Sequence, residues 1–443
     1  MPHFQWAGGL DLAEMIKANP GDVVTITGAG FLSGQYIIVD GFVIDGSSLA
    51  IGDIVYMCCG ANHIRVQNGE VKNSPENGVL VAQGSTYNEF INLDVHHNGR
   101  DQTANGGYPA GYYHGFYIDS GANTLVDNVN SHENAGNGGK FYRSGDPTAA
   151  RDSILSNSEL WGNGTNDGAP PLYSAGWIFQ GNNGIGYNNI AHDNLHTGFA
   201  ISNDAGGNVL LYNNISYNNT YYGIYVGNNH HDDQIYNNTV YNNPTYGIFV
   251  GDNSTNATVK NNIAYANGAS DLYLQPGGQT GTVTSNNLTT DPIFVNAAAN
   301  NFQLQAGSPA IDTGTTIGTV TVDFAGVSRP QGAAYDIGAY EFQSGAVPPL
   351  VAWYQFNAGA GTTASDSSGL GHTGTLSGAT LPTWTTGIEG TALDFNGVSS
   401  SVDVANATPL QLAATFSLAA YVNPAAANVD FRAVVVKNYT YFL

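Results

Sequence analysis

The chain has 443 residues, of which 57 are glycine and only 10% are charged. Its 34 acidic and 11 basic residues give a net charge of −23, which argues against general binding to nucleic acids or anionic membranes. The sequence has no stretch of about 18 apolar residues, so we expect no membrane span.

Residues 10–19 place Leu12, Met15 and Ile16 at helical spacing, and a Pro-Gly pair follows directly. This spacing predicts a short N-terminal capping helix, which would cover the open end of an apolar core. From Tyr36 onward, short apolar runs broken by Gly, Asn and Asp predict strands and turns.

Two features near the N-terminus bear on the compartment. Residues 1–6 have no basic region followed by an apolar run, so we expect any secretion signal to have been removed or to lie outside this sequence. Cys58 and Cys59 are neighbours, and a disulfide between adjacent residues is strained. We therefore expect two buried thiols.

A repeat governs the middle of the chain. The motif Tyr-Asn-Asn-Ile or a close variant recurs, with its paired asparagines beginning at 188, 213, 237, 261 and 286, which gives spacings of 25, 24, 24 and 25. A second motif, Gly followed by three mostly apolar residues, begins at Gly198, Gly223 and Gly247. Fixed self-similarity of this length is typical of stacked units that cannot bury an apolar face alone.

The period-2 apolar runs within each unit predict strands rather than helices. Equivalent asparagines on stacked coils lie about 4.8 Å apart, so their amides can bond along the stack, and Asn tolerates the left-handed backbone of a sharp corner. The pattern resembles the right-handed parallel β-helix proteins, many of which act on polysaccharides. We therefore predict an all-β chain whose residues 1–342 form a single-stranded parallel β-helix (solenoid) with caps.

The C-terminal part carries two further resemblances. Residues 307–342 resemble the end segment of many secreted bacterial β-helices, and we expect Asp312, Asp323, Arg329 and Asp336 to hold this cap together. Residues 343–349 read as a linker. Residues 350–443 resemble the opening half of a laminin-G-like (concanavalin A-like) β-sandwich, so we expect an incomplete sandwich that is prone to disorder or aggregation.

Alignment of the glycine motifs predicts one outward-facing row of side chains along the solenoid. Lys140 is placed outward and Phe141 inward by aligning Gly138 with the repeat glycine, because the alternative, Gly139, would bury a lysine in the apolar core. The predicted outward row is Leu80, Tyr117, Lys140, Ile178, Ala200, Tyr225, Phe249 and Tyr273.

The repeat is interrupted by about a dozen extra residues at 99–113 and again at 164–174. Long loops on a rigid scaffold commonly carry function, and both should project beside the outward row. They and the neighbouring strands hold the residues that we predict to bind substrate: Arg100, Tyr108, Tyr112, Tyr113, Tyr117, Tyr142, Tyr173, Trp177 and Gln180.

Residues 100–151 also hold four of the 11 basic residues, which favours an anionic ligand there. The predicted catalytic residues are Lys140, Arg143, His114 and Asp119; further imidazoles nearby in sequence are His96, His97 and His132.

Two chemistries fit these residues. β-Elimination from a uronic-acid polymer needs a base and a cation that stabilises the enolate, and Lys140 with Arg143, His114 and Tyr117 could supply them. Glycoside hydrolysis needs paired carboxylates, of which Asp119 is the best placed.

We therefore predict a secreted or cell-surface protein, favoured as a polysaccharide lyase, with a glycoside hydrolase or a non-catalytic glycan-binding adhesive protein as alternatives. We expect a polysaccharide partner, a monomeric chain and no required cofactor. Calcium would suit the plentiful Asn and Asp oxygens, although no ligand set can be named.

Overall fold

The structure is a computed structural model with side chains. It describes residues 14–19, 21–82, 84–99, 112–119, 121–143, 150–164, 174–202, 206–343, 351–368, 370–388, 390–407, 410–411, 418–423, 435–437 and 441–442. The chain divides into two compact units, residues 1–344 and 345–443.

The first unit is a parallel β-solenoid, as the repeat predicts. Each complete coil contributes one strand to a ten-stranded parallel sheet and two strand segments to a nineteen-stranded parallel sheet. The ten strands are Gly30–Leu32, Val55–Met57, Val79–Val81, Phe116–Asp119, Gly139–Tyr142, Trp177–Phe179, Thr197–Ile201, Tyr222–Val226, Tyr246–Val250 and Ser270–Leu274.

The nineteen-stranded sheet covers the remaining sides of the coil. Its strands are Glu14–Lys17, Val24–Thr27, Gln35–Asp40, Phe42–Asp45, Asn62–Lys72, Glu89–His96, Leu125–Asp127, Asn130–His132, Ile154–Ser156, Glu159–Trp161, Ile185–Tyr187, Ile190–His192, Leu210–Tyr212, Ile215–Tyr217, Gln234–Tyr236, Thr239–Tyr241, Thr258–Lys260, Ile263–Tyr265 and Val283–Ser285. Short strands Ser254–Thr255 and Gln279–Thr280 pair beside it.

The paired asparagines have two structural roles. The first of each pair bends the coil, with φ between 51° and 57° at Asn188, Asn213, Asn237, Asn261 and Asn286. The second points inward and donates its amide to the next coil, in the series Asn189, Asn214, Asn238, Asn262 and Asn287. A buried amide in such a stack is satisfied by its neighbours above and below, so the predicted ladder is confirmed.

The prediction of an N-terminal capping helix was wrong for residues 14–19, the part of this segment that the structure describes. Glu14–Lys17 is a strand that pairs in parallel with Gln35–Asp40, and Met15 and Ile16 are more than half exposed. A helix this short is marginal in water, whereas an adjacent sheet edge offers a full set of backbone hydrogen bonds. No α-helix occurs in the described ranges.

The C-terminal cap begins with an antiparallel pair, Phe294–Asn296 and Asn301–Leu304, around a 3-10 turn at Ala297–Ala299. The predicted cap residues do hold it together. Arg329 Nη1 donates to Glu341 Oε1 at 2.7 Å, and Asp336 accepts from the backbone N–H of Asp312 at 2.7 Å.

The prediction that the two cysteines are free thiols was wrong. Cys58 and Cys59 are joined by a disulfide, in a turn where Cys59 has a φ of 62°. The left-handed backbone at Cys59 is part of the geometry in which the two neighbouring sulfurs meet.

The second unit contains antiparallel strands. They are Thr363–Ala364, Gly374–Ser377, Thr383–Thr386, Thr391–Asp394, Ser401–Val404, Val436–Lys437 and Tyr441–Phe442. Their pairing does not establish a laminin-G-like sandwich, which stays a prediction. No helix in the described part of the chain is long and apolar enough to cross a membrane.

Candidate functional site

The strand Gly139–Tyr142 carries the predicted lysine. It pairs with Phe116–Asp119 so that Lys140 lies beside Tyr117, while Phe141 enters the core and is 1% exposed. The outward placement of Lys140 is therefore confirmed. Its neighbours in the outward row, from Leu80 to Tyr273, also follow the predicted register.

The ammonium of Lys140 is enclosed by aromatic rings. Its Nζ lies 4.8 Å from the ring centre of Tyr117 and 4.4 Å from that of Tyr142, and the side chain is largely buried. A ring face attracts a cation, more strongly where water is excluded. Both rings therefore present a face to the lysine Nζ.

His114 lies two residues before the strand Phe116–Asp119 and is buried. Its Nδ1 accepts the backbone N–H of Asn137 at 3.1 Å, and its own backbone N–H donates to Asn77 Oδ1 at 2.8 Å. Burial, together with the charge of Lys140, lowers the pKa of His114 well below its ordinary value. The ring is thus neutral with its proton on Nε2, and it lies edge-on to Tyr117, with 5.6 Å between ring centres.

Asp119 and Tyr142 are neighbours across the two strands. Burial, and next the charge of Asp119, raises the pKa of Tyr117, so that its phenol stays protonated. Arg143 follows Tyr142 directly. The face therefore brings together a cation, a carboxylate, a neutral imidazole and two phenols from two adjacent coils.

The remaining predicted binding residues have different outcomes. The prediction that Trp177 binds substrate was wrong, because its side chain lies fully in the core. The ring packs over Gly139, where an added Cβ would come within 2.2 Å of it. The smallest residue opposite the largest was the sequence signal for this packing.

Gln180 is only 4% exposed, and its Oε1 has no hydrogen-bond partner among the residues that the structure describes. Tyr112 is exposed and Tyr113 is half-buried. Arg100, Tyr108 and Tyr173 lie outside the described residues.

The outward row beyond Lys140 is less open than predicted. Ile178, Ala200, Tyr225 and Phe249 are each no more than 6% exposed, and they form a second apolar cluster with Tyr222, Tyr246 and Tyr273. Tyr225 also donates its phenol to Asp252 at 2.6 Å. These rings pack mainly on one another.

A separate groove of about 720 Å³ runs along the bend of the nineteen-stranded sheet and does not include Lys140. It is lined by the left-handed asparagines of five coils and by Glu70, Asp94 and Glu159. On later coils the C-terminal cap covers the same asparagine row, where Asn213 donates to the Val322 carbonyl at 2.8 Å.

His96 and His132 lie on the nineteen-stranded sheet, each two residues after a residue that lines the groove, Asp94 and Asn130 respectively. Sequence reasoning grouped them with Lys140 because they are close in sequence. It missed the contact between His132 and Asp94 because the loop after Asn98 lengthens this coil, so that equivalent residues are 36 apart instead of 24.

Comparison with known proteins supports the fold. The family model "Right handed beta helix region" matches residues 172–308. A search of curated proteins gave no match.

Several solved structures are similar. The Dettilon tailspike protein aligns with a TM-score of 0.50 and 16% identity over 64% of this chain, and the alignment spans 57% of the tailspike chain. The mannuronan C-5 epimerase A-module of Azotobacter vinelandii aligns with a TM-score of 0.46 and 15% identity, over 62% of this chain and 78% of that one. A pectate lyase aligns with a TM-score of 0.39 and 18% identity, over 74% and 86%. At 16% identity, the similarity to the tailspike protein shows a shared fold alone.

Proposed function

We propose that the protein acts on an anionic, uronic-acid-containing polysaccharide by β-elimination at the face around Lys140. The observation that carries the proposal is the ammonium of Lys140 between the rings of Tyr117 and Tyr142. In a chain with a net charge of −23, a cation held against aromatic planes suits a sugar ring that bears a carboxylate. A secreted or cell-surface location and a monomeric state would fit this role.

The reaction divides among the residues of the face. A base removes the proton beside the uronate carboxylate, the bond to the glycosidic oxygen breaks, a carbon–carbon double bond forms, and the leaving oxygen takes up a proton. Lys140 would neutralise the carboxylate as negative charge develops on it. His114, with its Nε2–H, would donate a hydrogen bond to the bound sugar.

Two groups on the face could act as the base. One is the carboxylate of Asp119, and the other is Lys140 itself in its amine form. We assign charge neutralisation to Lys140, whose Nζ lies against the faces of two tyrosine rings, and proton abstraction to Asp119. Arg143 is a second candidate for binding the polymer's charge.

The test is the ultraviolet absorbance of unsaturated uronate after incubation with alginate, pectate or a glycosaminoglycan. The wild type should produce the absorbance. Lys140→Ala should lower the rate at least about 100-fold, as expected when a charge-stabilising group is lost. Lys140→Arg should retain part of the activity, because arginine keeps the charge but does not act as a base at neutral pH.

Lys260→Ala is the matched control, since Lys260 is a half-buried lysine on the nineteen-stranded sheet. Lys140→Arg as inactive as Lys140→Ala would instead make Lys140 the base. Full activity of Lys140→Ala would overturn the assignment of the site.

Non-catalytic glycan binding is the second candidate, because an aromatic-enclosed lysine can bind a uronate without any acid–base pair. Binding of a polyuronate without absorbance or new reducing ends would favour it. Reducing ends without absorbance would favour hydrolysis, which needs a second carboxylate besides Asp119; Asp146, which follows the next strand, lies outside the described residues.

A further inference from the structure

The nineteen-stranded sheet aligns imidazoles and carboxylates in two adjacent rows beside the groove. The first row reads Lys72, His96, His132, Trp161 and His192 on successive coils. The second row lies two residues earlier and reads Glu70, Asp94, Asn130 and Glu159. Each histidine can therefore reach the carboxylate of the coil before it.

His96 and His132 are the two imidazoles of the row that lie on adjacent coils. Their rings stack with 4.9 Å between centres and 12° between planes, and Trp161 covers the other face of His132 at 4.3 Å. Nε2 of His132 lies 2.9 Å from Asp94 Oδ1, and Nε2 of His96 lies 2.8 Å from Glu70 Oε1. Both Nε2 atoms thus face the carboxylate row.

A second set of contacts orients these rings. Glu133 Oε2 lies 3.1 Å from Nδ1 of His132, and His97 Nδ1 lies 2.7 Å from Nδ1 of His96. A carboxylate on the far nitrogen of an imidazole fixes the ring and makes the near nitrogen a better ligand. The outer contacts of a metal-binding histidine have this form.

We propose that Asp94, His96 and His132 bind a divalent transition metal ion, for which Zn²⁺ is a suitable representative. One donor atom from each residue lies within 4.8 Å of the other two, and donors on one zinc ion are about 3.3 Å apart, so small side-chain rotations would close the set. The donor set of two imidazoles and one carboxylate suits zinc, nickel or iron rather than calcium.

The ion would replace two hydrogen bonds, the one between His132 and Asp94 and the one between His96 and Glu70. The proton on His132 Nε2 would pass to solvent, and that on His96 would move to its Nδ1, which faces Nδ1 of His97. Asp94 is half-exposed and lines the groove, which gives the ion a path of entry. Glu70, already bound by Lys72 at 2.8 Å, lies beside the set as a further carboxylate. The site is separate from the Lys140 face and does not depend on its function.

The same sheet supplies a matched control. His192 pairs with Glu159 at 3.1 Å and with Asp193 at 2.6 Å, so it has the same two contacts as His132. Its stacking neighbours are Trp161 and Tyr217 instead of a second imidazole. This pair has one histidine and should not bind an ion.

The experiment is calorimetric titration of Zn²⁺ into the full chain, produced without a histidine tag and freed of metal with a chelator. We expect one site, with release of protons that appears as a dependence of the heat on the buffer. His96→Ala and His132→Ala should each weaken binding at least about tenfold, and Glu133→Gln should weaken it by about 10-fold. His192→Ala should bind as the wild type does.

Circular dichroism of each variant would establish that it is folded, and Asp94→Asn offers a ligand change of nearly equal size. Absence of Zn²⁺ binding to the wild type would overturn the proposal. An equal loss in His192→Ala and His96→Ala would also overturn it, because binding would then follow surface imidazoles in general.

Discussion

The imidazole of His192 and the carboxylate of Glu159 pair across two coils and shift each other's titration. Burial lowers the pKa of His192, but hydrogen bonds to Glu159 and Asp193 more than offset it, so the pKa lies above its ordinary value of 6.5. The hydrogen bond from His192 lowers the pKa of Glu159 below 4.5.

These shifts predict a pH-dependent contribution to stability. The histidine's share is fully present below 6.5 and is lost as pH rises through its raised pKa. The glutamate's share is present above 4.5 and is lost as pH falls through its lowered pKa. The pair should therefore stabilise the fold most between these values, by less than about 1 kcal/mol because Glu159 is half exposed.

The measurement is the unfolding midpoint of His192→Gln against wild type from about pH 4 to about pH 9. The difference should be largest at mildly acidic pH and should shrink in alkaline solution, and Glu159→Gln should show the same trend. A difference that stays constant with pH would mean that the ring stabilises the fold through packing on Tyr217 alone.

Single residues were predictable from sequence where one physical cost dominated. The cost of burying an ammonium identified the register of Lys140, and the structure agrees. Trp177 was misplaced because the same register, applied consistently, turns it inward beside Gly139. The contact between His132 and Asp94 depends on how far an insertion displaces one coil, which residue type and spacing do not encode.

At the level of the coil, Asn242 and Asn243 form a second asparagine pair, five residues after Asn237 and Asn238, and its two members have different energetic roles. Asn243 is buried: its Oδ1 accepts the backbone N–H of Asn219 at 3.0 Å, and its amide donates to Asn267 at 2.9 Å. Asn242 is exposed, has a φ of 53°, and donates to Asn218 at 2.8 Å.

Asn243→Ala should lower the free energy of unfolding by about 2–5 kcal/mol, because it leaves several buried groups without partners. Asn242→Gly should cost less than about 1 kcal/mol, since glycine keeps the left-handed bend. Urea denaturation followed by circular dichroism checks both variants. Similar losses of unfolding free energy in the two variants would contradict the proposal that the buried asparagines stabilise the solenoid more than the exposed ones.

Elements repeated along the stack were predictable, and unique ones were not. The strand and turn pattern from Tyr187 to Thr290 recurs on coil after coil, so each coil confirms the reading of the next. The N-terminal segment has no such repetition, and its helical spacing was overruled by pairing with Gln35–Asp40. The secondary structure of such a segment depends on whether a sheet edge is available for pairing, and the position of that edge follows only from the assembled fold.

For the whole solenoid, the C-terminal cap covers part of the asparagine row that the coils would otherwise expose. It lies over the asparagine row of the later coils, where Asn237 donates to the Asp336 carbonyl at 3.0 Å and Asn261 to the Thr315 carbonyl at 2.7 Å. The earlier coils keep the same row open as the groove. The same row of asparagines therefore lines the groove on the earlier coils and contacts the cap on the later ones.

Arg329 joins the cap to the solenoid through wholly buried contacts. Nη1 donates to Glu341 at 2.7 Å, and Nη2 donates to Asn213 Oδ1 at 3.2 Å and to the Gly338 carbonyl at 2.9 Å. Arg329→Met leaves the Glu341 carboxylate buried and unpaired, which should cost about 3–5 kcal/mol. Because Asn213 belongs to a coil, the loss should loosen the cap from the stack before the coils separate.

Hydrogen exchange would resolve this order. In Arg329→Met, amides of residues 313–341 should exchange faster, while the inner ladder at Asn214 and Asn238 keeps its protection. The double variant Arg329→Met/Glu341→Leu should recover part of the stability, because a buried apolar pair can replace a buried ion pair at little net cost. Uniformly faster exchange along the solenoid would instead mean that cap and coils unfold as one unit, and unchanged exchange would mean that the ion pair is dispensable.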